Sequence, residues 1–225
     1  MKCIRYICFV LAAGFALAAC DKTDKAYKDF APGGEITYPG KADSLKVNPG
    51  KQRAQLTWLL KTDSRIVKCR IYWNRRADSA DVNVTRTTGV DTIRHTLGDM
   101  GEGPYVFEVY TFNAQGDRSI KAEANGDVYG SFYESNLVNR TLKSAVITGG
   151  NTKLDWDESD PRSPGVDLRY KDAAGQPQTR RVPATEKTTL ITGAVQAGSV
   201  EFQTLYLPVP NAIDTFRAAT AKVNL

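Results

Sequence analysis

"LGDMGEGPYVFEVYTFNAQGDRS", residues 97–119, decides the fold. Within it, "YVFEVYTF" (105–112) is dense in aromatic and β-branched residues, which suit a pleated, half-buried surface. In a strand, side chains two apart share a face. Tyr105, Phe107 and Val109 therefore fall on one side, and Val106, Glu108, Tyr110 and Phe112 on the other. "NAQG" (113–116) then ends the run with turn residues. The rest of the chain reads the same way. Short runs rich in Val, Ile, Thr, Tyr and Phe are cut by "NPG" (48–50), "ITGGN" (147–151) and "DAAG" (172–175). No segment of helical period is long enough to compete, so an all-β fold is expected.

Outward from this stretch, the pattern occurs twice. "GPYVFEVYTF" (103–112) is matched by "GSVEFQTLYL" (198–207), and "AQLTW" (54–58) by "TKLDW" (152–156). "CRIYW" (69–73) matches "VDLRY" (166–170), and "DTIRHTL" (91–97) matches "KTTLITG" (187–193). Each unit holds about seven short strands, which predicts two β-sandwiches in tandem, over 37–128 and 129–225. "DVYGSFYESNLVNR" (127–140) is the expected junction. Trp58 and Trp156 occupy equivalent positions of the two units. Trp73 is expected at the edge of the first core.

The N-terminus carries a different signal. Lys2 and Arg5 precede the apolar run "ICFVLAAGFALAA" (7–19), which is short for a membrane span and ends in small residues. It reads as an export signal over 1–19. "LAAC" (17–20) then places a thiol at the exit of that run. It resembles the bacterial lipoprotein lipobox, in which the cysteine is joined to diacylglycerol by a thioether; lipidation is expected at Cys20. Two or three acyl chains, at about 0.8 kcal/mol per buried methylene, anchor a protein stably. "DKTDKAYKDFAPGGE" (21–35) is polar and broken by Pro-Gly-Gly, so 20–36 reads as a flexible tether.

The remaining cysteines exclude a disulfide framework. Cys3 and Cys8 leave with the signal and Cys20 takes the lipid, so only Cys69 is left. In "IVKCRIYW" (66–73) it shares a face with Val67 and Ile71, as a small buried hydrophobe would. Charge excludes little else. The net charge of +5 loses Lys2 and Arg5 with the signal, and the rest is interspersed in both signs. No basic stripe interleaved with aromatics suggests nucleic acid.

Two resemblances sharpen this picture. "PGKADSLKVNPGKQRAQLTW" (39–58) and the 97–119 stretch resemble the fibronectin type III fold, its first two strands and its E–F corner, F strand and F–G hairpin. That resemblance puts Tyr105 at a tyrosine corner, turns Tyr105, Phe107 and Val109 inward, and turns Tyr110 and Phe112 out. Trp58 and Trp156 match the buried tryptophan of the sandwich that the chain resembles, so both are expected in the cores. Over about residues 26–143, "AYKDF", "GGEITYPGKADS", "IYWN", "VDTI" and "YGSFYESNLVNR" resemble an uncharacterised lipoprotein family of Bacteroidota. Its members are typically encoded near Sus-like outer-membrane uptake systems. The resemblance implies a cell-envelope accessory role on the outer membrane, at its surface or its periplasmic face, and carries no catalytic residues.

Chemistry is sparse. His95 is the only histidine, and with one free cysteine it makes neither a triad nor a typical zinc site. "DWDESDP" (155–161) clusters Asp155, Asp157, Glu158 and Asp160, but with no glycine pivot a solvated loop is expected rather than a calcium cage. No enzyme, cofactor or metal is expected. Apolar residues on an outward face need a cause. Tyr72, Tyr110 and Phe112 are expected outward on neighbouring strands, with Leu205 and Leu207 at matching positions of the second repeat. The five form a candidate patch for binding or for interdomain contact. The expected partners are the membrane, through the lipid, and a glycan or a transporter component. A structural spacer or adhesion role is the alternative.

Overall fold

Residues 103–113 form one strand, β6 (Gly103–Asn113), and its alternation assigns the faces as read. Phe107 and Val109 are fully buried, while Val106 is 51% exposed. The structure is a computed structural model and describes residues 38–225 except 62 and 194–197. The expected signal segment, Cys20 and the tether lie outside the described residues.

Among the described residues, the first half contains seven strands. They are β1 (Asp43–Pro49), β2 (Ala54–Leu60), β3 (Ile66–Trp73), β4 (Asp78–Asn83), β5 (Asp91–Leu97), β6 and β7 (Ala122–Val128). One sheet has the order β1-β2-β5 and the other β4-β3-β6-β7, all antiparallel. Apolar residues from both inner faces fill the space between them, with Leu56, Trp58, Cys69, Ile71, Phe107 and Val109 completely buried. Gly126 matters for closure: a Cβ there would sit 2.4 Å from Val47, so only glycine lets β7 lie this close to β1.

The Tyr105 hydroxyl donates to the Gly101 carbonyl at 3.0 Å, tying the corner before β6 to the strand itself. One expectation on β3 is corrected. Val67 is exposed rather than inward, because the pairing of β3 with β6 shifts register between Ile66 and Lys68. A one-residue slip exchanges faces, and Ile66 takes the buried place. Cys69 is buried as read, and burial pushes its thiol up to about 11.

The second half repeats the architecture. Its strands are β8 (Leu142–Thr148), β9 (Asn151–Trp156), β10 (Gly165–Lys171), β11 (Pro177–Pro183), β12 (Thr188–Ile191) and β13 (Ser199–Tyr206). A final strand is split into β14 (Phe216–Arg217) and β15 (Ala221–Asn224). The orders are β12-β9-β8 and β11-β10-β13, with β14 and β15 both pairing β13. The four repeated segments thus correspond strand for strand: β2 with β9, β3 with β10, β5 with β12, β6 with β13. Trp156 is buried like Trp58, and its indole N–H donates to Thr189 Oγ1 at 3.0 Å.

Between β7 and β8 runs a short helix, α1 (Ser131–Ser135). Its first N–H groups find a distant acceptor: Glu102 takes those of Phe132 and Tyr133 at 2.9 and 2.7 Å. Tyr129 and Tyr133 from this segment pack with Tyr206 and Phe216 of the second half into one aromatic cluster. Backbone pairing continues the seam, with Gln52 N–H donating to Tyr129 O at 2.7 Å and Ile213 N–H to Pro49 O at 2.8 Å. Asp214 completes it. Its carboxylate accepts from Arg53 Nε and Nη2 at 2.8 and 2.5 Å and from Lys51 N–H at 2.8 Å. The approach needs Gly50, where a Cβ would stand 2.4 Å from the Asp214 carboxylate.

Candidate binding site

The outer face of the β4-β3-β6-β7 sheet gathers three of the five patch residues. Tyr72 on β3 meets Tyr110 on β6 edge to face, with ring centroids 5.9 Å apart. Phe112 follows along β6, with Lys68 5.2 Å and Arg70 6.0 Å from its ring centre. Cations also cover Tyr110. Arg76 lies 5.6 Å from its ring and donates to its hydroxyl at 2.7 Å, and Arg118 lies 5.4 Å away. Cation–π contacts of this kind contribute about 0.5–2 kcal/mol each.

The patch is therefore not the open surface that the alternation suggests. Tyr110 is only 7% exposed, because side chains from the 74–76 turn and from Arg118 close over it. Leu205 is fully buried in β13, paired with Gly165 and Arg217. Leu207 is partly buried, and its N–H donates to Arg162 O at 2.9 Å. The ring contacts and hydrogen bonds of Tyr72, Tyr110 and Phe112 are made within the first sandwich, while the seam between halves uses Lys51, Arg53, Tyr129, Tyr133, Tyr206 and Asp214.

Carboxylates fix the cations on this face. Asp81 accepts from Arg70 at 2.5 and 2.7 Å, which holds its carboxyl at about 2. Burial pushes Glu108 up, but Arg76 at 2.6 Å and Lys121 at 3.6 Å outweigh it and leave it below the ordinary range. Arg75 and Arg118 differ: neither guanidinium has an ion pair or hydrogen bond among the described residues, but Arg118 lies over the Tyr110 ring, whereas Arg75 lines the hollow described next.

The backbone under Arg75 is unusual. Asn74, Arg75 and Arg76 take φ values of 50°, 54° and 65° in succession. For a residue such as arginine this left-handed region costs about 1–2 kcal/mol, whereas asparagine tolerates it. The turn contains no glycine, and Arg75 and Arg76 both line one hollow. That hollow, about 390 Å³, is lined by Tyr72, Trp73, Arg75, Arg76, Val106 and Glu108, together with Asn74, Pro104 and Tyr105. Trp73, read as an edge-of-core residue, packs against the core and also reaches this lining. Tyr72, Val106 and Glu108 face outward as the alternation requires, whereas Arg75 and Arg76 are signalled by nothing but "NRR" (74–76), in which only Asn74 is a usual turn residue.

Other sites carry less. A hollow of about 570 Å³ beside α1 exposes Phe132, but its carboxylate, Glu102, is consumed in capping the helix. The acidic 155–160 loop is dispersed among separate cations: Asp155 with Lys153, Asp157 with Lys143, Glu158 with Lys187 and Asp160 with Arg162. Among the described residues, no three of His, Cys, Asp and Glu group as metal ligands.

Three-on-four antiparallel sandwiches, a tyrosine corner and a second copy of the same strand order define a tandem fibronectin type III-like protein. The DUF4998 model, described as a domain of unknown function, matches residues 20–216, and the chain belongs to that family. Among solved structures it is similar to the FN1–FN3 domains of chicken CNTN1, at 14% identity and a TM-score of 0.46, covering 83% of this chain and 64% of that one. It is also similar to a two-domain fibronectin type III segment of chicken tenascin, at 11% identity and a TM-score of 0.34, covering 82% and 99%. No curated protein matches the chain.

Proposed function

We propose that this protein is a lipid-anchored, non-enzymatic binding module of the cell envelope, accessory to a Sus-like uptake system at the outer membrane, with a glycan or a transporter component as its partner. The observation that carries the binding role is the 72–76 cleft. Aromatic and aliphatic faces stand beside a guanidinium–carboxylate pair and a free guanidinium, which suits a ligand with both an apolar face and hydroxyl groups. The anchor rests on "LAAC" and Cys20. The reading as a non-enzyme rests on carboxylates that are neutralised one by one by separate cations.

Two experiments test it. Cys20→Ala should abolish fatty-acid labelling and release the protein from membranes; labelling that persists in the variant defeats the anchor. A glycan array should give binding that Tyr72→Ala weakens, because aromatic anchors dominate such contacts. The spacer reading has its own support in the Asp214 seam, which ties the two halves together. An array without any binding, together with a cooperative whole-chain melt, would favour it.

A further inference from the structure

Within the cleft, the charges do not balance. Arg76 is neutralised by Glu108 at 2.6 Å and engaged with the Tyr110 hydroxyl. Arg75 is not engaged, and it is held at the cleft by a left-handed turn that stability alone does not favour. Residues kept in costly backbone conformations tend to mark places where function constrains the chain. Glycine at 75 would relax the turn, yet the position carries a cation.

The floor of the cleft also limits the class of ligand. Tyr72 lies on an inner strand, paired with Ser79 of β4 on one side and Glu108 of β6 on the other. The strand there offers no free backbone edge, so an extended peptide cannot add as a further strand. What remains is recognition by side chains: the aromatic lining of Tyr72 and Trp73, with Arg76 6.0 Å from the Tyr72 ring centre, the exposed Val106, and the unpaired guanidinium of Arg75. A sugar ring presents a C–H face to such a floor, and its hydroxyls match the adjacent donor and acceptor of Arg76 and Glu108.

We infer that the cleft takes the carboxylate-bearing sugar of an acidic glycan, with Arg75 as the residue that reads the charge. This rests on the binding-module reading above and narrows it to uronic-acid-type ligands. The planar fork of arginine suits a carboxylate bidentately, which explains arginine rather than lysine at this position.

The test uses the whole chain in calorimetric titrations with galacturonate, glucuronate and mannuronate oligomers, the methyl esters of the same oligomers, neutral oligosaccharides and polyglutamate. The expected result is binding of an acidic oligomer, with its methyl ester about tenfold weaker or worse, as the loss of one charge-assisted bond requires. Arg75→Gly should remove that difference while its Tm is no lower than that of the parent, since the turn relaxes. Neutral oligosaccharides that bind as tightly as acidic ones, with Tyr72→Ala damaging and Arg75→Gly silent, would overturn this inference and leave the binding module standing. Polyglutamate binding as tightly as the uronates would overturn the sugar class. No binding across the whole panel would overturn both the inference and the glycan reading.

Discussion

Replacing Asp214 with alanine should loosen the seam between the two sandwiches by a calculable amount. Three hydrogen bonds end on that carboxylate, two from Arg53 and one from the Lys51 backbone. Bonds to an ionised group contribute about 1.5–3 kcal/mol each when sheltered, and exposed ion pairs less than about 1 kcal/mol. The site lies between these limits: the Asp214 side chain is 21% exposed and that of Arg53 46%. About 2 kcal/mol follows, which corresponds to about 4–8 °C in Tm for a cooperative unit of this size. Scanning calorimetry should show one transition for the parent chain and an earlier, broadened or divided one for Asp214→Ala.

Acid should erase that difference. Arg53 is the main cause that holds the Asp214 carboxyl below its ordinary value, against the opposing effect of burial. A carboxyl depressed on folding contributes its stability above the unfolded pKa of about 3.9 and loses it as pH falls through the folded value. The gap between parent and variant is therefore full at neutral pH and shrinks below about pH 4. A variant that melts within about 1 °C of the parent, with an unchanged peak shape, would refute the idea that the seam couples the halves.

Further outcomes follow from the cores and the corner. Trp58→Ala and Trp156→Ala should each destabilise by about 3–5 kcal/mol in chemical denaturation, since both rings are buried; in the Asp214→Ala background each should act mainly on its own half. Tyr105→Phe should cost about 1 kcal/mol by removing its single bond to Gly101, read as a shift of the urea midpoint at constant slope.

The strands were legible because their signal is local. Alternation in "YVFEVYTF" fixes which residues face in, and Phe107 and Val109 obey it. The repeat was legible because equivalent strands carry equivalent apolar spacing, even where identity is low. What lies on top of a face is not local. Tyr110 is outward as the period requires, yet it is buried by Arg76, whose position depends on a left-handed turn that composition does not signal. The Tyr129–Tyr133–Tyr206–Phe216 cluster joins residues some 80 positions apart, and each looks like an ordinary strand or loop aromatic in sequence. Val67 departs from the alternation because a bulge shifts the period within β3, and "IVKCRIYW" contains no glycine or proline to mark it.

That ligand sits in the 72–76 cleft can be checked residue by residue, by mapping the backbone amide shifts of the whole chain during titration with an acidic oligosaccharide. Changes are expected only at residues 72–76 and 104–108, lost in Tyr72→Ala and reduced in Arg75→Gly. Changes centred instead on the α1 hollow, the Asp214 seam or the second sandwich would contradict that placement.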